Sequence, residues 1–492
     1  MTEGVRTGLQ RSLTAKKIVF LVVATAAPLS AMVGTVPLAF AVGNGAGTPG
    51  MFIFAGVVLL CFSVGYAAMS RRIVNAGGVY TYLACGLGRP PAVAGGLVAV
   101  ISYNAAAIGL VGAFGYFAQL VGASYGLPLP WQAWSALAVI AVWALGYRQL
   151  DLSTRVLSVL IVAEVAVLVI LNAAVVAVKG AQALPVTSLA PSTVFSSAVG
   201  VAMMFAFISF IGFESAALYG EETYRPTRSV PLAIYLSVTV MSVFYALSSW
   251  VAVGAVGSGQ VRTVAAHQLG NLFFSLSDQY VSPWLTAVMR VLLCTSLFAA
   301  GLALHNAANR YMFVLGRERV LPSWLGQAHA QHGSPHRAST VQTLLTIIVV
   351  AAFAMAGLDP YVNLATSMLG LGTLGIVLLQ AAAAISVPAF FAHRPDRHWW
   401  KTGVAPLLGA AGLLAAAVLL IGNFALLTAT GSSVVTALPW LLLVAVVAGV
   451  SYAFWIRSAH PDRYGALANT QLRYDGECPP ASTEAQVVGA RR

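Results

Sequence analysis

The chain has 492 residues, of which 59% are hydrophobic and only 8% charged, with a mean hydropathy of +0.84. A water-soluble domain carries roughly 25% charged residues, so this composition excludes one and requires lipid as the main solvent. The net charge of +12 sits in short basic clusters between apolar runs, the distribution that marks membrane topology rather than a nucleic-acid surface.

Crossing about 30 Å of hydrocarbon takes about 20 apolar helical residues. Twelve stretches meet that test: 18–42, 49–70, 91–122, 131–147, 156–178, 194–219, 230–256, 283–313, 338–357, 361–391, 402–427 and 437–456. The reading is an all-α integral membrane protein with 12 transmembrane helices. Residues 1–17 are short and basic, and the apolar run behind them is too long for a signal-peptide core, so it reads as the first span. The fourth stretch is short and the third and eighth are long, which predicts tilt or interfacial ends. With the N-terminus inside, 23 of the 26 Lys and Arg fall on the inner side. The positive-inside rule therefore predicts a multi-pass cell-membrane protein with both termini cytoplasmic. The loop 257–282 carries "HQLGNLFFSLSD" and predicts a short helix over the outer mouth. Residues 457–492, rich in polar residues, Pro and Gly, read as a disordered tail. Cys61, Cys85, Cys294 and Cys478 form no pattern, so neither a disulfide framework nor a metal site is expected.

Two spans break the rule that lipid-embedded helices run uninterrupted. The first reads "AAPLSAMVGTVPLAF", with Pro28, Ser30, Gly34, Thr35 and Pro37 near its middle. The sixth reads "FISFIGFES", with Ser209, Gly212, Glu214 and Ser215. If spans 1–5 and 6–10 form two five-span units, these are the first helix of each, and an odd number of spans makes the units inverted repeats. Matching interruptions point to a transporter's central site, because an unwound turn exposes N–H groups and carbonyls that hold a carboxylate and an ammonium. The predicted substrate site is Ser30, Ala31, Met32, Val33, Gly34 and Thr35 with Ser209, Gly212 and Glu214. Tyr103 and Asn104 of span 3, Phe207 and Phe210 of span 6, Ser296 of span 8 and Ser367 of span 10 are added as lining candidates.

Glu164 lies near mid-span in "VLIVAEVAVLV". A charged side chain there costs about 2.5–3.5 kcal/mol, so a role in proton coupling stands beside a structural one. Ser296 joins the proton set, and Glu214 is read as substrate-amine partner, proton-sensitive gate or structural acceptor. Arg290 is placed to snorkel, and His305 reads as structural. His329, His332 and His336 read as solvated loop histidines.

Several stretches together resemble the amino acid–polyamine–organocation (APC) superfamily of permeases. "GNGAGTPG" looks like that family's glycine-rich entry to helix 2, and "NAGGVYTY" resembles its inner-loop P/N-x-G-G-x-Y-x-Y element. "FIGFESAALYGEETYRPTRSVPLAI" is similar to its helix 6 signature, and "NAANRYMFVLGRERVLP" to the Arg-containing end of its helix 8. The resemblance implies a 5+5 inverted-repeat (LeuT-like) core over 18–391, two added helices over 402–456, and alternating access with substrate at the breaks of helices 1 and 6. Glu164 falls near the place of a helix 5 lysine in some proton-coupled members. The first span keeps only Gly34 and Thr35 of the family's G-S/T-G pattern, so either the cradle is shifted or the substrate lacks an α-carboxylate.

The expected function is secondary active transport of an amino acid, coupled to protons. A permease for a small amine (ethanolamine, putrescine or GABA-like) and an exchanger are the alternatives. No catalytic motif such as H-E-x-x-H and no P-loop is present, which argues against an enzyme or an ATP-driven pump. The expected partners are the small-molecule substrate, a proton and the lipid bilayer, with no cofactor and no nucleic acid.

Overall fold

The computed structural model describes residues 14–73, 78–148, 154–219, 223–329, 333–429 and 431–467. Regular structure among them is helical throughout, as expected where lipid leaves backbone amides no partner outside their own segment. The principal helices are α1 (Ala15–Ala26), α2 (Pro28–Val42), α3 (Thr48–Ser70), α4 (Val79–Leu87), α5 (Arg89–Ser124), α6 (Trp131–Tyr147) and α7 (Thr154–Lys179). They continue as α8 (Val199–Ser209), α9 (Pro226–Val256), α10 (Val261–Gln268), α11 (Leu272–Tyr280), α12 (Pro283–Arg317) and α13 (His336–Met355). The last four are α14 (Thr366–Phe391), α15 (Ala405–Gly422), α16 (Trp440–Ala459) and α17 (Pro461–Ala466).

Among the described residues, ten helical segments are long and apolar enough to cross a bilayer. The first and fourth stretches expected from sequence are not among the ten. The first is divided into α1 and α2, and the fourth, α6, has 17 residues. Burial separates interior helices from lipid-facing ones. The segment Val199–Ala216 is 89% buried, whereas Trp440–Ala459 is 28% buried and turns Val444, Val447 and Phe454 outward. The 36-residue α5 is a central post packed against α12, α14 and α16, while α3 packs against α9 and α15. Inside this frame α1 lies on α9 and α7, and α2 lies on α8 and α10.

Three expectations need correction. The segment beyond Arg457 is ordered as far as Leu467: the guanidinium of Arg89 donates to the carbonyls of Gly465 (2.8 Å) and Leu467 (3.3 Å) and lies over the Tyr464 ring. Leu467 is buried beside Val93 and Ala453; the rest of the expected tail, 468–492, lies outside the described residues. Cys85 is disulfide-bonded, against the expectation of no disulfide, while Cys61 and Cys294 are free thiols. His329 and His336 flank the Tyr147 ring at 5.4 and 5.7 Å instead of standing free in solvent, and His332 lies outside the described residues. The loop 257–282 does form helices, α10 and α11. Arg290 covers the Phe274 ring at 5.4 Å, and His305 bonds Ser339 Oγ at 2.9 Å between helices.

Candidate functional site

The first break follows from one proline and one unusual backbone. Ala27 adopts φ +46°, and Pro28 brings no N–H to the first turn of α2, where that donor has no intrahelical partner in any case. The Ala27 N–H closes α1 on the Val23 carbonyl, and the Ala31 N–H opens α2 on the Ala27 carbonyl. Between them the Leu29 N–H donates to Glu164 Oε2 at 3.4 Å, and the Ala26 carbonyl accepts from the Tyr245 hydroxyl at 3.4 Å. Side chains of α7 and α9 thus take up backbone groups that the break releases. Gly34, Thr35 and Pro37 lie inside the continuous helix α2, so the break falls earlier than the sequence reading placed it.

The second break falls where the sequence reading put it. Beyond α8, the Phe210 and Ile211 amides fall back to three-residue bonds on Phe207 and Ile208. Gly212 then takes φ +104°, and a 3-10 helix runs over Phe213–Tyr219. A Cβ on Gly212 would lie 2.9 Å from the Thr25 Cβ, so the two breaks touch and only glycine fits between them.

Glu214 stands beside this second break. Its carboxylate accepts from the Gly212 N–H (3.1 Å), the Tyr103 hydroxyl (2.8 Å) and the Gln380 amide (3.4 Å), and its backbone carbonyl accepts from Tyr66 (3.1 Å). Tyr103 stacks on Tyr311 with centroids 5.3 Å apart. The buried carboxyl group thus joins α5 and α14, while α3 holds the same residue through its backbone carbonyl and α12 reaches it only through the Tyr103 ring. Glu164 is equally buried and also accepts from Ser296 Oγ of α12 at 2.9 Å.

A cavity of about 50 Å³, open on one side, adjoins both breaks. Its polar lining is Thr25, Ser30, Thr35 and Ser209, and the rest is apolar, chiefly Ala and Leu with Ile208 and Ile211. Among the described residues, no charged side chain lines it. Ser30 Oγ is buried without a hydrogen-bond partner among the described residues. Along α5 the cavity lies at Leu110 and Ala113, between Tyr103 on one side and Tyr116 and Phe117 on the other. At 1.5 Å per residue, Tyr103 and Tyr116 stand about 20 Å apart.

Of the residues singled out from sequence, Ser30, Ala31, Gly34, Thr35 and Ser209 line this cavity. Met32, Val33, Phe207, Phe210, Gly212 and the two glutamates do not. Phe210 packs edge-on to Tyr245 at 5.5 Å, and Asn104 donates to its own helix at Val100 and to Met312 Sδ. Ser367 is buried with no partner for its hydroxyl among the described residues. Nothing in the sequence marks Thr25 to Ala27, Leu110, Ala113, Ile208, Ile211, Leu297, Ala300, Leu304 and Leu369 as lining residues, because their types carry no signal apart from burial. Nor does it mark Tyr245, Tyr66 and Gln380. Away from the cavity, the Tyr80 hydroxyl donates to Glu318, tying "NAGGVYTY" to the end of α12. Burial, and then the Glu318 carboxylate, holds that phenol well above its ordinary range, so the proton stays on Tyr80.

A helical membrane bundle whose two broken helices meet at a buried cavity is built as a multi-pass carrier of small molecules. A profile of the amino acid permease family matches residues 18–450, and the chain belongs to that family, within the APC superfamily. It is a transporter and not an enzyme. Branched-chain amino acid permease BcaP of Bacillus subtilis is 25% identical over 430 residues, 82% of this chain and 86% of its own length. An uncharacterized transporter of Mycobacterium tuberculosis is 25% identical over 71% of this chain and 73% of its own. Cationic amino acid transporter 7, chloroplastic, of Arabidopsis thaliana is 24% identical over 68% of this chain and 58% of its own.

Proposed function

We propose that the chain is a secondary active transporter of a neutral amino acid with an aliphatic side chain, working by alternating access. The observation that carries this reading is the cavity lining: among the described residues it is alanine, leucine and isoleucine with four hydroxyl groups and no charge. A zwitterion brings one charge of each sign, which helix ends and exposed backbone groups can meet. A diamine or a cationic amino acid brings an extra positive charge, and burying it without an anionic partner is costly. The apolar lining therefore sides with the substrate class in the Bacillus relative's name over that in the Arabidopsis relative's name.

In this reading Ser30, beside the first break, offers its free hydroxyl to the substrate. Glu164 takes up and releases the coupling proton, because it touches the first break and α12 together. Glu214 gates the Tyr103 end. The spans number twelve when α1–α2 and α6 are counted with the ten long segments, arranged as a 5+5 inverted repeat with both termini cytoplasmic. Melting of the purified protein tests the substrate class, since a ligand that binds only the folded state raises its melting point. Leucine or valine at millimolar concentration should stabilise it, and lysine and putrescine should not; stabilisation by lysine or putrescine alone would overturn the assignment.

A further inference from the structure

We propose that Tyr361 is the latch that closes the cavity at the end beneath residues 257–282. It is a positioning residue for transport, and the proposal rests on the cavity being the substrate's place. Tyr361 lies in a π-helical turn, Pro360–Ala365, that leads into α14; such wide turns are frequent at functional positions. The turn is held on both sides. Asp359 Oδ1 accepts from the Tyr361 and Val362 amides at 2.8 and 2.7 Å, and Asn363 Oδ1 accepts from the Asp359 N–H at 2.9 Å. The Asn363 amide donates in turn to the Thr428 carbonyl at 3.0 Å. A rigid mount of this kind fixes where the tyrosine ring goes.

The ring goes to the rim of the cavity. The Tyr361 hydroxyl donates to the Gly34 carbonyl at 3.0 Å, and Gly34 lines the cavity. Its ring stacks on Tyr116 of α5 with centroids 4.6 Å apart and planes at 16°, and meets Phe117 edge-on at 5.3 Å. The cavity-lining Ala113 precedes Tyr116 by three residues, about 4.5 Å along the helix, and a Cβ on the cavity-lining Gly34 would stand 3.7 Å from the Phe117 ring, so this aromatic layer sits one residue layer behind the lining. Gly270, in the turn between α10 and α11, rests on the same two rings: a Cβ there would stand 2.7 Å from Phe117 and 2.8 Å from Tyr116. Elements α2, α5 and α14 and the segment covering them thus converge on one hydroxyl and one stack.

Passage of a solute through this end requires the hydroxyl to leave Gly34 and the ring to slide from Tyr116. The hydroxyl bond is an additional one, because Gly34 lies within the body of α2, so breaking it does not unravel that helix. One neutral hydrogen bond contributes about 1 kcal/mol net, which corresponds to about a five-fold shift between closed and open forms.

The test uses the full chain in nanodiscs, with Cys61 and Cys294 replaced by Ala and Thr35→Cys as reporter in the cavity wall. The rate of modification by a charged methanethiosulfonate reagent is measured with Tyr361 present, with Tyr361→Phe and with Tyr361→Ala. Tyr361→Phe keeps the stack and should raise the rate about five-fold; Tyr361→Ala should raise it further. Rates within two-fold of the parent for Tyr361→Phe would overturn the latch, whether or not Tyr361→Ala folds. Leucine should slow modification in the parent chain. Its failure to do so would sink the substrate assignment while leaving the accessibility comparison for the latch intact.

Discussion

The carboxylate of Glu164 accepts from the Leu29 N–H at 3.4 Å and so reaches from α7 to the break between α1 and α2. Because Ser296 of α12 donates to the same oxygen at 2.9 Å, three helices share one ionisable group. In the proposed coupling role, a proton arriving there would remove the charge that the freed amide and the hydroxyl solvate, and so would change what holds the first break in place.

That arrangement makes Glu164→Gln informative. The amide still offers an oxygen to Leu29 and Ser296 but cannot exchange a proton. Gradient-driven accumulation in proteoliposomes should fall at least ten-fold, while exchange of labelled for unlabelled substrate stays within about three-fold. Wild-type accumulation by the variant would remove Glu164 from the coupling role.

Glu214 is surrounded by donors: Gly212 N–H, the Tyr103 hydroxyl and the Gln380 amide. Glutamine at this position turns an NH₂ toward a set of donors, and an unsatisfied buried group costs about 1–3 kcal/mol. Glu214→Gln should lower the melting temperature by several degrees and slow transport. Tyr103→Phe, which removes one donor alone, should produce a smaller change in both. Equal behaviour of the two variants and the parent would leave this network without a part in the cycle.

Contact between the breaks is tested at Gly212, whose φ of +104° and closeness to Thr25 exclude a side chain. A non-glycine residue in such a conformation costs about 1–3 kcal/mol, before the clash is counted. Gly212→Ala should cut transport more than ten-fold in protein that still purifies as a single species. Adding Thr25→Ala should restore part of it. Full activity of the single variant would show that the breaks need not touch.

Cavity shape gives a specificity prediction. Ala300 of α12 and Ser209 of α8 both line the cavity. Ala300→Leu fills space that an aliphatic side chain would occupy, so KM for leucine should rise about ten-fold and KM for alanine by less. An equal rise for both would place the substrate side chain elsewhere.

Much of this was legible in the chain, and the misses have physical causes. Apolar lengths locate the spans because the bilayer sets a fixed thickness. The second break was visible because Gly212 beside Glu214 is a rare pairing in a lipid-buried helix. The first was misplaced because Ala27, which carries the left-handed turn, is an ordinary apolar residue, whereas Gly34 and Pro37 look like helix breakers yet lie within α2. Cavity-lining alanines and leucines read the same as lipid-facing ones. Glu214 and Tyr103 each stand out as polar residues within apolar spans, but nothing in a linear sequence joins residues 111 positions apart. The ordered segment up to Leu467 was read as disordered because its anchor, Arg89, lies 378 positions away.

Uptake of radiolabelled leucine into proteoliposomes under an inward acid gradient, with lysine and putrescine in parallel, tests the central claim most directly. Saturable accumulation of leucine above equilibrium is expected, collapsed by a protonophore, with little uptake of either cation. Accumulation of lysine or putrescine without leucine, or no gradient-driven uptake of leucine at all, would contradict it.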